Sequence, residues 1–154
     1  NMKILDILAP EAIVPEMRAK AKVEALQELA TLLATLHPEI DGARLVQVLL
    51  DREALGSTAI GEGIAIPHGK LPGVTNVVAA FGRSPNGLDF DSLDGNPTRL
   101  FFLLVAPEDS AGIHLKALAR VSRLLKDKSF RDRLAAGGTR EQLFAVIKEE
   151  DEKY

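Results

Sequence analysis

Leu100-Phe-Phe-Leu-Leu-Val105 is a continuous apolar run, and it decides the fold class because such runs are typical of strands buried on both faces. A second run, Val77-Val-Ala-Ala-Phe81, precedes it. Turn residues stand between them at Ser84-Pro-Asn-Gly87 and Asp94-Gly-Asn-Pro97, which favours antiparallel pairing of the two runs. Ile64–Ile66 is a third and shorter predicted strand.

Apolar residues that recur every three or four positions predict five helices around these strands. The helices are Lys20–Leu36, Asp41–Glu53, Ala111–Lys126, Ser129–Ala136 and Glu141–Glu150. The inner face of the first is predicted at Val23, Leu26, Leu29, Ala30, Leu33 and Leu36, and that of the third at Leu115, Leu118, Val121 and Leu125. Thr139 and Gln142 form a capping box for the last helix. We therefore expect the α/β class: a single domain with a small mixed β-sheet flanked by helices on both sides.

Composition narrows the functions that this fold can serve. The chain has 154 residues, 46% of them hydrophobic, which suits one domain with a substantial core. Its net charge of −3, with dispersed cations, argues against nucleic-acid binding. There are no cysteines and only three histidines, which disfavours metal sites and excludes thiol chemistry. No apolar run is long enough to span a membrane, and the N-terminus lacks the pattern of a signal peptide. We therefore expect a cytoplasmic location. Asn1 ahead of Met2 is interpreted as an expression remnant.

A glycine-rich loop, Gly56-Ser-Thr-Ala-Ile-Gly-Glu-Gly-Ile-Ala-Ile-Pro-His-Gly69, holds the principal candidate for chemistry. Pro67 fixes its own φ and biases Ile66 toward an extended backbone, and Gly69 permits a turn or a close approach. His68 is thereby held in a defined direction. A neutral histidine near pH 7 has a nucleophilic nitrogen, so a nucleophile is one interpretation; a solvated imidazole in an ordinary turn is the other.

Two further residues deserve weight because their positions are unusual. Arg52 lies on the apolar face of the second helix, with Leu45, Val48 and Leu49, where it either serves a site or covers the core with its stem. His114 falls in the first turn of the third helix. Ser110 or Asp109 is predicted to cap that turn, which would attract an anion. A half-buried structural histidine is the alternative for His114, and His37, beside Pro38, is read as structural.

The string Asp51-Arg-Glu-Ala-Leu-Gly-Ser-Thr-Ala-Ile-Gly-Glu-Gly-Ile-Ala-Ile-Pro-His-Gly-Lys70 resembles the signature of enzyme IIA of the fructose and mannitol class. That class belongs to the bacterial phosphoenolpyruvate-dependent phosphotransferase system. The resemblance extends to Leu88-Asp-Phe-Asp-Ser-Leu-Asp-Gly95, Phe101-Phe-Leu-Leu-Val-Ala-Pro107 and His114-Leu-Lys-Ala-Leu118, and so covers nearly all of residues 2–154. The family includes the nitrogen-related regulatory enzyme IIA, which the chain resembles most.

The resemblance implies a phosphocarrier in which His68 accepts a phosphoryl group, on Nε2, from the phosphohistidine of HPr or of its nitrogen-branch paralogue. His114 matches the second active-site histidine, and Arg52 matches the arginine that offsets phosphoryl charge. No cofactor and no metal are implied. Supporting positions in the same site are Ser57 and Thr58, whose hydroxyls would contact the phosphoryl group, together with Gly69 and Glu62. Glu62 either orients an imidazole or guides a partner, or it is a solvated loop charge. Lys70 adds positive potential or is a plain surface residue. Many relatives have asparagine where this chain has Glu62 and glycine where it has Ala59, so the hydrogen bond of that asparagine does not carry over.

Two functions are compatible with the same His68. A regulatory enzyme IIA would change its protein partners with its phosphorylation state, because a phosphoryl group adds nearly two negative charges. A sugar-specific enzyme IIA would instead pass the group to an enzyme IIB during uptake. A chain that ends at Tyr154, without a linker to an enzyme IIB, favours the regulator as an expectation. Partners are therefore the HPr-type donor and either an enzyme IIB or a regulated protein, with neither nucleic acid nor a membrane-embedded segment.

Overall fold

A computed structural model describes residues 2–154, which form a six-stranded mixed sheet and five α-helices. The helices are α1 (Lys22–Leu36), α2 (Gly42–Ala54), α3 (Ala111–Leu125), α4 (Lys128–Ala136) and α5 (Arg140–Glu152). The strands are β1 (Ile13–Val14), β2 (Ala59–Gly61), β3 (Ile64–Ala65), β4 (His68–Lys70), β5 (Val78–Leu88) and β6 (Thr98–Ala106). The five predicted helices are confirmed to within two residues at each end, and so is the capping box of α5.

Strand β6 is the centre of the sheet. It pairs antiparallel with β5 and parallel with β3 and β4, while β1 pairs with β5 and β2 with β3. Residues Leu100–Ala106 are all buried, as their continuous apolar run predicts. Within the described chain β4 pairs with β6 alone, so the other edge of β4, which begins at His68, is left without a neighbouring strand.

The sheet lies between two layers of helices, which confirms the expected α/β architecture. A Cβ atom built on Gly82 would meet Met17 and Leu29, so this position of β5 faces α1. The next residue, Arg83, points to the opposite face, where its Nε donates to the Ala135 carbonyl of α4 at 2.9 Å. No helix within residues 2–154 has the length and apolar character needed to cross a bilayer.

The predicted turn at Ser84-Pro-Asn-Gly87 is wrong, because β5 continues through it to Leu88. Pairing with β6 shifts between Arg83, opposite Leu100, and Leu88, opposite Thr98. Three extra residues of β5 therefore form a bulge. The missing N–H of Pro85 and the positive φ of Gly87 (75°) suit a bulge as well as they suit a turn.

Two predicted inner-face residues are also wrong. Val23 is 45% exposed in the first turn of α1, and Leu115 is 65% exposed on α3. Both have helical spacing to buried neighbours, but they lie at the border of the apolar stripe. Leu115 faces an open cavity beside the sheet edge rather than the core.

Candidate functional site

His68 begins β4, and the backbone that leads to it is hydrogen-bonded to β6. The Leu104 N–H donates to the Pro67 carbonyl at 3.0 Å, and His68 lies opposite Leu104 in the parallel pair. Proline has no N–H and a fixed φ, so the backbone that carries the imidazole has few alternatives. The imidazole therefore starts from a rigid strand end at the sheet edge.

The ring of His68 has distinct roles for its two nitrogens. Nδ1 lies 2.8 Å from the Ile66 carbonyl oxygen, which can only accept a hydrogen bond. Nδ1 must therefore carry the proton of the neutral ring, and this fixes the tautomer. Nε2 is left with an available lone pair, as a nucleophile requires.

His114 lies in the first turn of α3 and faces His68. The ring centroids are 5.4 Å apart and nearly perpendicular, at 85°. The residue is only 7% exposed, and both ring nitrogens lack a hydrogen-bond partner within the described chain. Burial lowers the pKa of His114, and the nearby charges of His68 and Lys70 lower it further. The ring is therefore neutral near pH 7 and has bonding capacity that the protein leaves unused.

The predicted side-chain cap of α3 is wrong. Ser110 is the N-cap residue, but its hydroxyl donates to the Pro107 carbonyl and not to the helix. No side chain within residues 2–154 caps this first turn, so its backbone N–H groups keep the partial positive charge of a helix start.

The lowered pKa of His114 predicts a pH-dependent stability. The unfolded chain binds a proton at His114 below about pH 6.5 while the folded protein resists it, so the free energy of unfolding should fall as the pH drops through that value. The fall should level off below the folded-state pKa. Urea unfolding between pH 7.5 and 5 measures it, and His114→Gln should flatten the profile. A variant with the same profile as the wild type would contradict this cause.

Arg52 reaches the same place from the last turn of α2. Its Nη1 donates to the Gly56 carbonyl at 2.9 Å, which ties the guanidinium to the start of the glycine-rich loop. A guanidinium has five N–H donors, so most of them are still available to an anion. Among the residues that the structure describes, Arg52, His68 and His114 all line one cavity.

That cavity has a volume of about 570 Å³ and opens at the edge of the sheet between α2 and α3. Its walls are largely apolar, and two of the leucine side chains in them are exposed to solvent: Leu55 at 84% and Leu115 at 65%. The lining residues are Val48, Asp51, Arg52, Leu55, His68, Gly69, Lys70, Ala111, His114, Leu115 and Leu118. An open apolar rim around a few polar groups suits contact with another protein better than enclosure of a small molecule.

Two predicted supporting residues have their hydroxyls directed elsewhere. Ser57 Oγ donates to the Phe90 carbonyl at 2.7 Å and accepts from the Ala59 N–H at 3.0 Å. The buried Thr58 hydroxyl donates to the Glu53 carboxylate. Neither residue lines the cavity. Their predicted contact with a phosphoryl group is therefore not prepared by the geometry, and they fix the loop instead.

Glu62 also lies away from the lining of the cavity. It occupies the turn between β2 and β3 with a positive φ of 58°, and its N–H donates to Asp94 Oδ2 at 3.2 Å. Its own carboxylate is 74% exposed and is 3.6 Å from Arg131 Nη2. Asp94 accepts from Ser92 and Asn96 as well, and these bonds lower its pKa to about 2. The predicted role of Glu62 toward an imidazole remains a prediction.

Gly69 and Lys70 complete the predicted set, and both line the cavity. Gly69 is required by close packing, because a Cβ atom there would lie 2.6 Å from Val48 Cγ1 of α2. Val48 is β-branched and has little freedom to move. The absence of a side chain at Gly69 thus brings α2, and with it Arg52, against the strand of His68.

Gly69→Ala is expected to lower the free energy of unfolding by about 1–3 kcal/mol, because strand and helix must separate. Urea unfolding measures the change. Gly112→Ala in α3 is the matched control, since its Cβ would meet nothing within 4 Å and alanine favours a helix by about 1 kcal/mol. Equal stability of Gly69→Ala and the wild type would contradict the close-packing role.

The apolar walls of the cavity and one charged lining residue were not among the predicted site residues. Leu55 follows the last helical residue, and Asp51 precedes Arg52, where its Oδ1 accepts from Gln47 at 2.8 Å. Leu115 has the helical spacing of a core residue, although it lines the cavity. The signal available for Leu55 was a large apolar residue just past the end of a helix, where a polar residue is usual.

Comparison with known proteins identifies the class to which this fold and site belong. The family described as phosphoenolpyruvate-dependent sugar phosphotransferase system, EIIA 2, matches residues 6–150. The chain therefore belongs to the EIIA 2 family and is a phosphotransferase component.

Within that family the chain is similar to nitrogen regulatory proteins. It is 46% identical over 146 residues to the nitrogen regulatory protein of Bradyrhizobium diazoefficiens, covering 95% of each chain. The crystal structure of nitrogen regulatory protein IIA-Ntr from Neisseria meningitidis superposes with a TM-score of 0.84 at 34% identity, covering 92% of this chain and 97% of that one. A fructose-specific EIIABC component of Bacillus subtilis is 37% identical over 150 residues, which are 97% of this chain and 24% of that protein.

Proposed function

We propose that the chain is a phosphocarrier in which Nε2 of His68 accepts a phosphoryl group from the phosphohistidine of HPr or of its nitrogen-branch paralogue. The observation that carries the proposal is the 2.8 Å contact of His68 Nδ1 with the Ile66 carbonyl, which makes Nε2 the nucleophilic nitrogen. Residues 2–154 would form one such cytoplasmic domain, with no cofactor.

The phosphoryl transfer needs no reactant other than the donor phosphohistidine and His68. The Nε2 lone pair of His68 attacks phosphorus, the bond from phosphorus to the donor imidazole breaks, and its electron pair returns to the donor nitrogen. The Nδ1 proton stays on His68, so the phosphorylated ring is positively charged. A charged donor strengthens the hydrogen bond to the Ile66 carbonyl, which stabilises the product.

The other residues of the site supply charge and position, which is most of what phosphoryl transfer needs. Arg52 offers the free N–H groups of its guanidinium to the phosphoryl oxygens. His114 is neutral, and its unpartnered ring can donate one hydrogen bond to the same oxygens. Gly69 keeps α2 close, and Ser57 and Thr58 hold the loop in place. Lys70 adds positive potential at the rim.

We further propose that the phosphorylation state controls partner binding, so that the chain is a regulatory enzyme IIA. The similarity to nitrogen regulatory proteins supports this function. The surface supports it too, because a group of nearly two negative charges would appear beside the exposed Leu55 and Leu115. A partner that buries these leucines would have to desolvate the phosphoryl group, which weakens its binding.

A sugar-specific enzyme IIA that passes the group to an enzyme IIB is the second candidate. Its support is the 37% identity to a fructose-specific component, which spans nearly the whole of this chain. The two candidates share the chemistry of His68 and differ in the relay that supplies it and in the protein that receives it.

Intact-mass spectrometry at alkaline pH tests both parts of the proposal. The protein is incubated with the phosphohistidine form of one of two donors: HPr, the sugar-type relay, or its nitrogen-branch paralogue, the nitrogen-type relay. We expect one acid-labile phosphate, gained faster from the nitrogen-type relay. Faster labelling by the sugar-type relay would support the sugar-specific candidate instead. No label from either relay would contradict the phosphocarrier function.

A further inference from the structure

Glu53 is a buried carboxylate that follows Arg52 in α2 and does not line the cavity. Its side chain is only 4% exposed. Oε1 accepts from the Thr58 N–H at 3.1 Å, and Oε2 accepts from the Thr58 hydroxyl. Lys22 Nζ, 3.1 Å from Oε1, balances the charge. A buried carboxylate is costly without such partners, so Glu53 and Thr58 form a fixed unit.

Hydrogen bonds lead from this unit to the imidazole of His68. The Thr58 carbonyl accepts from the Ile66 N–H at 3.1 Å, and the Ile66 carbonyl accepts from His68 Nδ1 at 2.8 Å. Pro67 lies between Ile66 and His68 with a fixed φ. A displacement of Thr58 would therefore move the Ile66 carbonyl relative to the ring.

We propose that Glu53 is a positioning residue for phosphoryl acceptance. By fixing Thr58 it keeps the Ile66 carbonyl on Nδ1 of His68, and so keeps Nε2 unprotonated and aimed at the donor. The inference rests on the proposed function of His68. It explains why Arg52 and Glu53 both contact the loop between α2 and β2: Arg52 binds Gly56, and Glu53 binds Thr58.

A role limited to stability makes a different prediction, and a pair of double variants separates the two. Lys22→Met combined with Glu53→Gln removes both charges but keeps an oxygen that accepts from the Thr58 N–H. Lys22→Met combined with Glu53→Met removes the charges and that acceptor at similar side-chain volume. These two double variants, called the glutamine pair and the methionine pair, differ in the bond to Thr58 and not in charge.

Long-range ¹H–¹⁵N correlation spectra of the histidine rings report which nitrogen of His68 carries the proton. We expect the wild-type Nδ1–H form in the glutamine pair. In the methionine pair we expect a measurable Nε2–H population and roughly tenfold slower phosphorylation, less than the about hundredfold loss that a 1 Å misplacement of reacting atoms can cause. The wild-type tautomer and rate in a folded methionine pair would overturn the proposal.

A second variant keeps the test open if the methionine pair does not fold. Glu53→Asp retains the charge opposite Lys22 but withdraws the carboxylate from Thr58 by one methylene, and it should shift the His68 tautomer in the same direction. An unchanged tautomer and rate in Glu53→Asp would then overturn the proposal. Failure of the proposed phosphocarrier function would give a different result. The wild type would then stay unlabelled, while the tautomer measurement would still show whether Glu53 positions the His68 ring.

Discussion

Replacing His68 by alanine is expected to abolish phosphorylation completely, because the accepting nitrogen is removed. In the described part of the chain, no other side chain that lines the cavity has a ring nitrogen held unprotonated by a hydrogen bond to a backbone carbonyl. His68 is the histidine whose Nδ1 is bonded to a carbonyl and whose ring lines the cavity with Arg52. The measurement is the mass gain after incubation with the phosphorylated donor, HPr or its nitrogen-branch paralogue. Far-ultraviolet circular dichroism should show an unchanged fold.

Two histidine variants serve as controls for this loss. His37→Ala should label as the wild type does, since His37 lies 3.9 Å from Glu39 and outside the cavity. His114→Gln should still label, but roughly ten- to a hundredfold more slowly, because one hydrogen bond to a charged group is lost or weakened. Phosphate on the His68→Ala protein would contradict the assignment of His68.

Replacing Arg52 by alanine is expected to slow phosphorylation strongly while leaving the fold intact. Transfer to His68 should slow by about 10²–10³-fold, the typical loss when one preorganised donor to a developing charge is removed. The free energy of unfolding should fall by no more than about 1.5 kcal/mol, the value of the single hydrogen bond from Arg52 to the Gly56 carbonyl. Single-turnover phosphorylation, followed by quenched mass spectrometry, gives the rate.

Charge and geometry at this position are separated by two further variants. Arg52→Lys keeps the charge but not the planar fork, so its rate should lie between those of the wild type and Arg52→Ala. Arg44→Ala removes an exposed arginine from the first turn of the same helix and should leave the rate unchanged. A normal rate in Arg52→Ala would remove Arg52 from the mechanism.

The sequence predicted the architecture well where burial imposes a clear pattern. β6 is buried on both faces and reads as an unbroken apolar run, and the helices follow from residues spaced to cover the sheet. The bulge at Ser84–Gly87 was not predictable in this way. Turns and bulges draw on the same residues, and only the pairing of the flanking strands decides between them.

The candidate site was predictable in its centre and less so at its margins. His68, Arg52 and His114 converge as the family resemblance implied, with Gly69 beneath them. The directions of Ser57, Thr58 and Glu62 depend on partners distant in sequence. Ser57 binds the carbonyl of Phe90, and Glu62 lies near Arg131, contacts that no local pattern reveals. Leu115 shows the converse, because helical spacing identifies a stripe but not the point where a cavity interrupts it.

Which nitrogen becomes phosphorylated is the sharpest test of His68 as the phosphoryl acceptor. The ¹⁵N-labelled protein would be phosphorylated, held at alkaline pH, and examined by long-range ¹H–¹⁵N spectra and ³¹P–¹⁵N coupling. The bond from Nδ1 of His68 to the Ile66 carbonyl predicts phosphorus on Nε2 of His68, with the proton retained on Nδ1. Phosphorus on Nδ1 of His68, or on His114, would rule out Nε2 of His68 as the acceptor.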